Sequence, residues 1–183
     1  MKDIDKTAVE RILSGDTKAF GQLVKDLSPE LMMFVGRIVE QQEDTEDVVQ
    51  NTFLAAFRHL KDYDPEKASL QTWLQRIAYH EALYHLRRHR KRQTLSLDVS
   101  DDVPDEWPET TTVDQLDEAI RQLSPEDQML LQLYYFDQRP LKDIAFITGA
   151  TDATLSREAS RLGSRLHRIR QRLRILLIRM NNE

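Results

Sequence analysis

The stretch "LKDIAFITGATDATLSREASRL", Leu141 to Leu162, carries the spacing of two short helices that cross at a sharp turn. Ala145 is a small residue where two helix backbones must approach closely. Gly149, four positions later, can take the left-handed conformation that ends a helix abruptly. Leu155, six positions further, is placed to plug the second helix against Ile144. This is the layout of a helix-turn-helix. Arg157, Arg161 and Arg165 on the second helix are the donors that phosphates and base edges in a major groove require. The same spacing also fits a plain helical hairpin whose arginines form a solvated face.

Working outward, the second helix continues far past the turn, from about Asp152 to Met180. Leu155, Ala159, Leu162, Leu166, Ile169, Leu173, Leu176 and Met180 follow one another at alternating steps of four and three, which makes one continuous apolar seam. Upstream, "SPEDQMLLQLYYF" offers Ser124 as an N-cap and Pro125 at the first helical position, where its missing N–H costs nothing. Val113 to Leu123 predicts another helix before it.

Further back the periodicity stops. "QTLSLDVSDDVPDEWPETTT", residues 93–112, holds 6 acids and no base, with prolines and many hydroxyl side chains. Such a segment predicts a linker, in which Trp107 is the residue out of keeping, since a tryptophan usually docks against something. The net charge of −5 therefore hides a division. Basic residues concentrate in "HLRRHRKR", His85 to Arg92, and between Arg157 and Arg179, where 8 arginines accompany one glutamate. An acidic chain with two basic stripes can bind nucleic acid, because binding answers to the local field.

The N-terminal 92 residues again repeat at three to four residues. Asp16 predicts an N-cap for a helix through Leu27, and Ser28-Pro29 predicts a restart. A third helix covers about 44–60. "KDYDPEKAS" is a polar turn, and Ser69 caps a fourth helix running through Trp73, Ile77 and Leu86. Trp73 shares the side of Leu70, Leu74 and Ile77, so it is expected in the core. In the third helix, Val49, Phe53, Ala56, Phe57 and Leu60 share one face; Asp47, Gln50, Asn51, Leu54 and Arg58 lie nearly opposite. Leu54 is thus an apolar side chain inside a polar patch. A single exposed leucine is ordinary and by itself needs no function.

The composition, with 40% hydrophobic and 31% charged residues, suits a helical globular protein, and no strand alternation appears. We therefore expect an all-α fold of two small helical domains, 1–92 and 113–183, joined by the acidic linker 93–112. Cysteine is absent, which removes disulfides and thiolate metal sites. "HEALYH" echoes a zinc-binding HExxH, but His80 and His85 are five positions apart, whereas two ligands on one helix face need four. No glycine-rich phosphate loop and no nucleophile-base pair is present, so neither a cofactor nor a catalytic site is expected. "MKDIDKTAVERIL" has no apolar signal core, and no run reaches the roughly 18 apolar residues of a membrane span. The expected location is the cytoplasm, without membrane insertion.

"TEDVVQNTFLAAFRHLKDYDPEKASLQTWLQRIA" resembles region 2 of the extracytoplasmic-function (ECF) sigma factors of bacterial RNA polymerase. The helix-turn-helix, preceded by "LDEAIRQLSPEDQMLLQLYYFD", resembles their region 4. The resemblance spans about residues 16–92 and 113–173, in the family's order. It implies a sigma factor that binds core RNA polymerase and directs promoter-specific initiation, with region 2 recognising and melting the −10 element and region 4 reading the −35 element. It implies polymerase docking, on the β′ clamp helices, by Asp47, Gln50, Asn51 and Leu54. It implies −10 contacts by Tyr63, Lys67, His80, Tyr84, Arg87, Arg88, Arg90 and Lys91, and −35 contacts by Thr154, Ser156, Arg157, Ser160, Arg161 and Arg165. The implied partners are core polymerase, including its β subunit, promoter DNA and an anti-sigma factor. The chain departs from the family's usual residues at His80, Tyr84, Ser156 and Glu158, which leaves promoter preference open at both elements. The rival reading is a two-domain helix-turn-helix regulator that never engages polymerase.

Overall fold

The computed structural model describes residues 2–39, 41–89 and 111–181. Among these residues there are eight α-helices, one 3-10 turn, one π turn and no strand, as an all-α reading requires. They fall into two compact units, the first built on α1 to α4 and the second on α5, α6 and α8. Residues 93–110 of the acidic segment, with Trp107, lie outside the described residues.

In the first unit, α1 (Lys2–Leu13) ends at Gly15, whose φ of +99° turns the chain sharply. Asp16 then caps α2 (Thr17–Gly36), accepting the Ala19 N–H at 3.1 Å. Arg11 donates to the same carboxylate at 2.7 Å, and the Asp16 carboxyl is held below its ordinary value, first by that bond and then by the capped amide. The expected restart at Ser28-Pro29 does not occur. α2 runs through it unbroken, with Pro29 exposed in its interior. Proline removes one intrahelical bond. The apolar face on both sides, Leu23 before it and Leu31, Phe34 and Val35 after it, keeps the helix whole by its burial. Ser28 gives its hydroxyl proton to the Val24 carbonyl at 2.6 Å instead of capping.

α3 (Gln42–His59) follows, closed by a 3-10 turn at Leu60–Asp62, and α4 (Leu70–His89) completes the unit. α2, α3 and α4 pack mutually. Val48, Val49, Phe53 and Ala56 of α3 meet a core that includes Leu74, Ala78 and Ala82, where α4 has small residues for close approach. The buried hydroxyls are satisfied locally: Thr52 donates to Val48 at 2.8 Å and Thr45 to Val39 at 3.0 Å, so neither leaves an orphaned polar group. Ser69 caps α4, accepting from the Thr72 N–H at 3.2 Å.

The second unit opens with a reciprocal capping box. The Thr112 hydroxyl accepts the Gln115 N–H while the Gln115 side chain accepts the Thr112 N–H, starting α5 (Val113–Arg121). Ser124 caps α6 (Pro125–Leu131) with Pro125 in its first turn. The helix then widens into a π turn at Gln132–Phe136, a feature the sequence reading did not anticipate. The Asp137 N–H reaches the Gln132 carbonyl and the Gln132 side chain bonds Asp137 at 2.9 Å. This bulge buries Leu133 while turning Tyr134, Tyr135 and Phe136 outward together.

α7 (Leu141–Ile147) ends at Gly149, whose φ of +114° is the left-handed stop anticipated from sequence. α8 (Leu155–Asn181) begins three residues later than expected, because Thr151 and Thr154 close a turn ahead of it. The seam of α8 packs on α5 and α6, with Ala159, Leu166, Ile169, Leu173 and Leu176 buried and Leu155, Leu162 and Met180 half-buried. Leu177 is buried as well, which widens the seam into a stripe that faces two helices. Gly163 lets the Leu141 side chain approach, 3.6 Å from where a Cβ would stand.

Candidate functional site

Three exposed surfaces carry the residues of interest. The first is α3. A helix advances about 100° per residue, so Asp47, Gln50, Asn51, Leu54 and Arg58 share one stripe, and all are exposed. Leu54 is 55% exposed. Its neighbour Phe53 belongs to the opposite face and is buried, so adjacent residues serve opposite surroundings. Phe57 was expected in the packed face and is instead 50% exposed. It sits at the boundary, between Phe53 and Leu54 on the wheel, with its ring edge-on to Phe20 at 4.8 Å. The exposed polar stripe thus has an apolar flank that a two-face reading of the sequence missed; the boundary angle was the available signal.

The second surface is α4 with the loop before it. His80, Tyr84, Arg87 and Arg88 recur at helical spacing and are all exposed, Tyr84 at 59%. Desolvation, followed by repulsion from Arg76 and Arg87, holds the His80 imidazole below its ordinary value and so favours the neutral ring at neutral pH. The His80 ring stands edge-on to Tyr79 at 5.2 Å. His85 belongs elsewhere: its Nε2 lies 3.3 Å from Asp44 of α3, so the two histidines of the HExxH echo face different surroundings. Lys67 is exposed on the loop, which an Asx turn shapes through the Asp64 carboxylate and the Glu66 N–H. Tyr63 corrects the sequence expectation. It is buried, its ring lies 5.4 Å from that of half-buried Trp73, and its hydroxyl donates to the Ala68 carbonyl at 3.1 Å. It braces the loop from inside. Arg90 and Lys91 lie outside the described residues.

The third surface is the start of α8. Ser156, Arg157, Ser160 and Arg161 are exposed along its first turns. Thr154 is half-buried, and its hydroxyl accepts the Thr151 N–H at 3.0 Å, so it closes the turn instead of reaching outward. Arg165 departs from the exposed row: it is half-buried and its Nε donates to Asp127 of α6 at 2.6 Å. That bond fastens α8 to α6, a structural duty spacing alone could not reveal. Among the arginines sits Glu158, whose Oε1 accepts from Arg161 Nη1 at 3.0 Å and lies 3.6 Å from Arg157 Nε.

No helix of the described residues is long and apolar enough to cross a membrane. An exposed leucine ringed by polar groups, an aromatic among bases on α4, and arginines on the second helix of a helix-turn-helix are the side chains that binding a protein partner and nucleic acid would require.

Comparison with known proteins agrees. Residues 23–92 match the family described as Sigma-70 region 2, and residues 114–173 that described as Sigma-70, region 4. The chain is 34% identical over 129 residues to the ECF RNA polymerase sigma factor SigF of Caulobacter vibrioides, covering 69% of this chain and 71% of that one. It is 36% identical over 92 residues to the RNA polymerase sigma factor CnrH of Cupriavidus metallidurans, covering 49% and 48%. To the sigma-H factor of Pseudomonas aeruginosa it is 35% identical over 82 residues, covering 45% and 42%. The match thus spans about half the length of the latter two. Among solved structures, CnrH in complex with the cytosolic domain of CnrY shares the fold, with a TM-score of 0.62 at 23% identity over 94% of this chain and 96% of that one. The sigma factor RpoE in complex with the anti-sigma factor NepR from Bartonella quintana shares it at 0.57 and 24%, over 87% and 97%.

Proposed function

This chain belongs to the extracytoplasmic-function family of RNA polymerase sigma factors, and on that premise we propose that it binds core RNA polymerase and directs initiation at promoters with its own −10 and −35 preferences. The family consists of initiation factors, not enzymes. The observation that carries the proposal is the two-faced α3, which buries Phe53 in its own bundle and exposes Leu54 among Asp47, Gln50 and Asn51. An apolar anchor within a polar rim is the arrangement that concentrates affinity at a protein interface. The β′ clamp helices are the proposed seat.

The division of labour follows the surfaces. Residues 1–92 act as the region 2 domain, 93–112 as the linker and 113–183 as the region 4 domain. On α4, Tyr84 offers a face on which an unpaired −10 base stacks, while Arg87 and Arg88 neutralise the strand's phosphates. Exposed Lys67 adds to that charge, and Arg90 and Lys91 are proposed as further −10 contacts. Tyr63 is left out of the contact set because it is buried. On α8, Arg157 and Arg161 face −35 DNA, with Ser156 and Ser160 as polar readers. Arg165 and Thr154 serve by positioning. The β subunit and an anti-sigma protein complete the partners, the latter because RpoE, which shares the fold, is bound by one. Such partners place the protein in the cytoplasm.

The test is reconstitution with core polymerase. Specific transcripts from a cognate promoter are expected with the wild type and are lost with Leu54→Glu. DNA binding without any affinity for core polymerase would overturn the proposal in favour of a stand-alone regulator.

A further inference from the structure

A carboxylate on a helix that addresses DNA is out of place electrostatically. Duplex DNA carries about one negative charge per 1.7 Å of its axis, and a side chain of the same sign is repelled from it. Glu158 is nevertheless the sole acid from Arg157 to Arg179. It lies among the exposed first turns of α8, between Arg157 and Arg161. Its side chain is 31% exposed against 66% and 67% for those arginines, so the carboxylate is the more covered partner of each pair.

The contact with Arg161 is specific about atoms. Glu158 Oε1 accepts from Nη1 at 3.0 Å. A guanidinium is planar and presents its donors in a fixed fork. Engaging Nη1 leaves Nε and Nη2, which donate side by side in parallel, as the remaining pair of donors. That pair matches the O6 and N7 acceptors of guanine in the major groove. In free solution the ion pair is screened and stabilises little. In a groove from which water and salt are displaced, the same carboxylate holds the fork more firmly and penalises every rotamer in which Arg161 swings to a phosphate.

We propose that Glu158 is a specificity-determining positioning residue: it fixes Arg161 in the orientation that reads a guanine in the −35 element, exchanging raw affinity for selectivity. This rests on the −35 role of α8 proposed above. A residue that merely stabilised the helix would change binding to all sequences alike. Glu158 acts with opposite signs on two readouts. Its carboxylate repels phosphates, so it weakens binding to arbitrary DNA, and it orients Arg161, so it sharpens one base pair.

The experiment uses the full chain with core polymerase and a set of promoters carrying all four bases at each −35 position. Glu158→Gln should raise binding to unrelated DNA a few-fold while the preference for guanine at one base pair falls, roughly tenfold or more. Arg161→Ala should lose that same preference, and the double variant should lose no more than Arg161→Ala alone, because the two act as one unit. Base preferences unchanged in Glu158→Gln, with Arg161→Ala still erasing one of them, would overturn the positioning role and leave the −35 reading intact. Preferences unchanged in both variants would overturn the reading of α8 as the −35 helix and this inference with it.

Discussion

Helices α3 and α8 each bury one face and expose the other, yet what they expose differs in kind. α3 shows an apolar anchor, Leu54, with Phe57 beside it and a polar rim of Asp47, Gln50 and Asn51. α8 shows arginines and serines with no large apolar side chain among them at its start. If the first surface meets the proposed polymerase partner, its gain comes from removing apolar area from water, which salt hardly alters. If the second meets the proposed −35 DNA, its gain comes from exchanging counterions for phosphate contacts, which salt weakens steeply. On the proposed function the two surfaces use different recognition chemistries, and ionic strength should separate them.

The largest effect should come from the buried side of α3. Phe53→Ala removes a packed aromatic and should cost about 3–5 kcal/mol, enough to threaten the first unit. A melting curve measures it. Leu54→Glu, one residue away, should shift stability by less than about 0.5 kcal/mol. It should cost at least about 2 kcal/mol of core-polymerase affinity, because an anchor is then asked to bury a charge. That loss should be similar at low and high salt. Unfolding of Leu54→Glu would break the assignment of faces, and a strongly salt-dependent loss would erase the contrast with α8.

Next in size is Tyr84→Ala on α4, where stacking and charge meet. Single-stranded −10 DNA should bind more weakly by about 1–3 kcal/mol, while the double-stranded −35 element is bound as before. Equal losses on both would deny Tyr84 a stacking role. On α8, Arg157→Ala should flatten the log–log salt dependence by about 0.9. Arg165→Ala should leave that slope unchanged and lower the melting temperature instead, since Arg165 spends its charge on Asp127.

The smallest effect is a titration. The His80 pKa is lowered from 6.5, first by desolvation and then by Arg76 and Arg87. Below 6.5 the unfolded chain takes the proton more readily, so this contribution to stability is complete above 6.5 and is lost as pH falls through the folded value. NMR titration should place His80 below 6.5, and Arg87→Ala should move it part of the way back, since desolvation, the larger cause, remains. A midpoint above 6.5 would remove the field of α4 from the account.

Much of this was legible in the sequence because the deciding interactions are local. Asp16, Ser69 and Ser124 act on amides within three residues, and Gly149 stops a helix through its own φ. Periodicity separated Phe53 from Leu54 because the angle between adjacent residues on a helix is fixed by covalent geometry. The apolar seam of α8 is legible for the same reason, although not what covers it.

Only the tertiary structure decided the rest. Ser28-Pro29 carries every local mark of a helix start, yet burial of the faces on either side outweighs one missing hydrogen bond. Tyr63 looks like a loop aromatic and is claimed by Trp73 and Ala68. Arg165 looks like a third reader and is claimed by Asp127, 38 residues away. Phe57 lies at an angle where either face could take it, and Phe20 of another helix sets where its ring rests. Sequence by itself determined what each backbone segment does, because caps, turns and helical period are written within a few residues. Which long side chains remain outside to meet a partner depends on neighbours distant in the chain, and those become neighbours only when the helices pack.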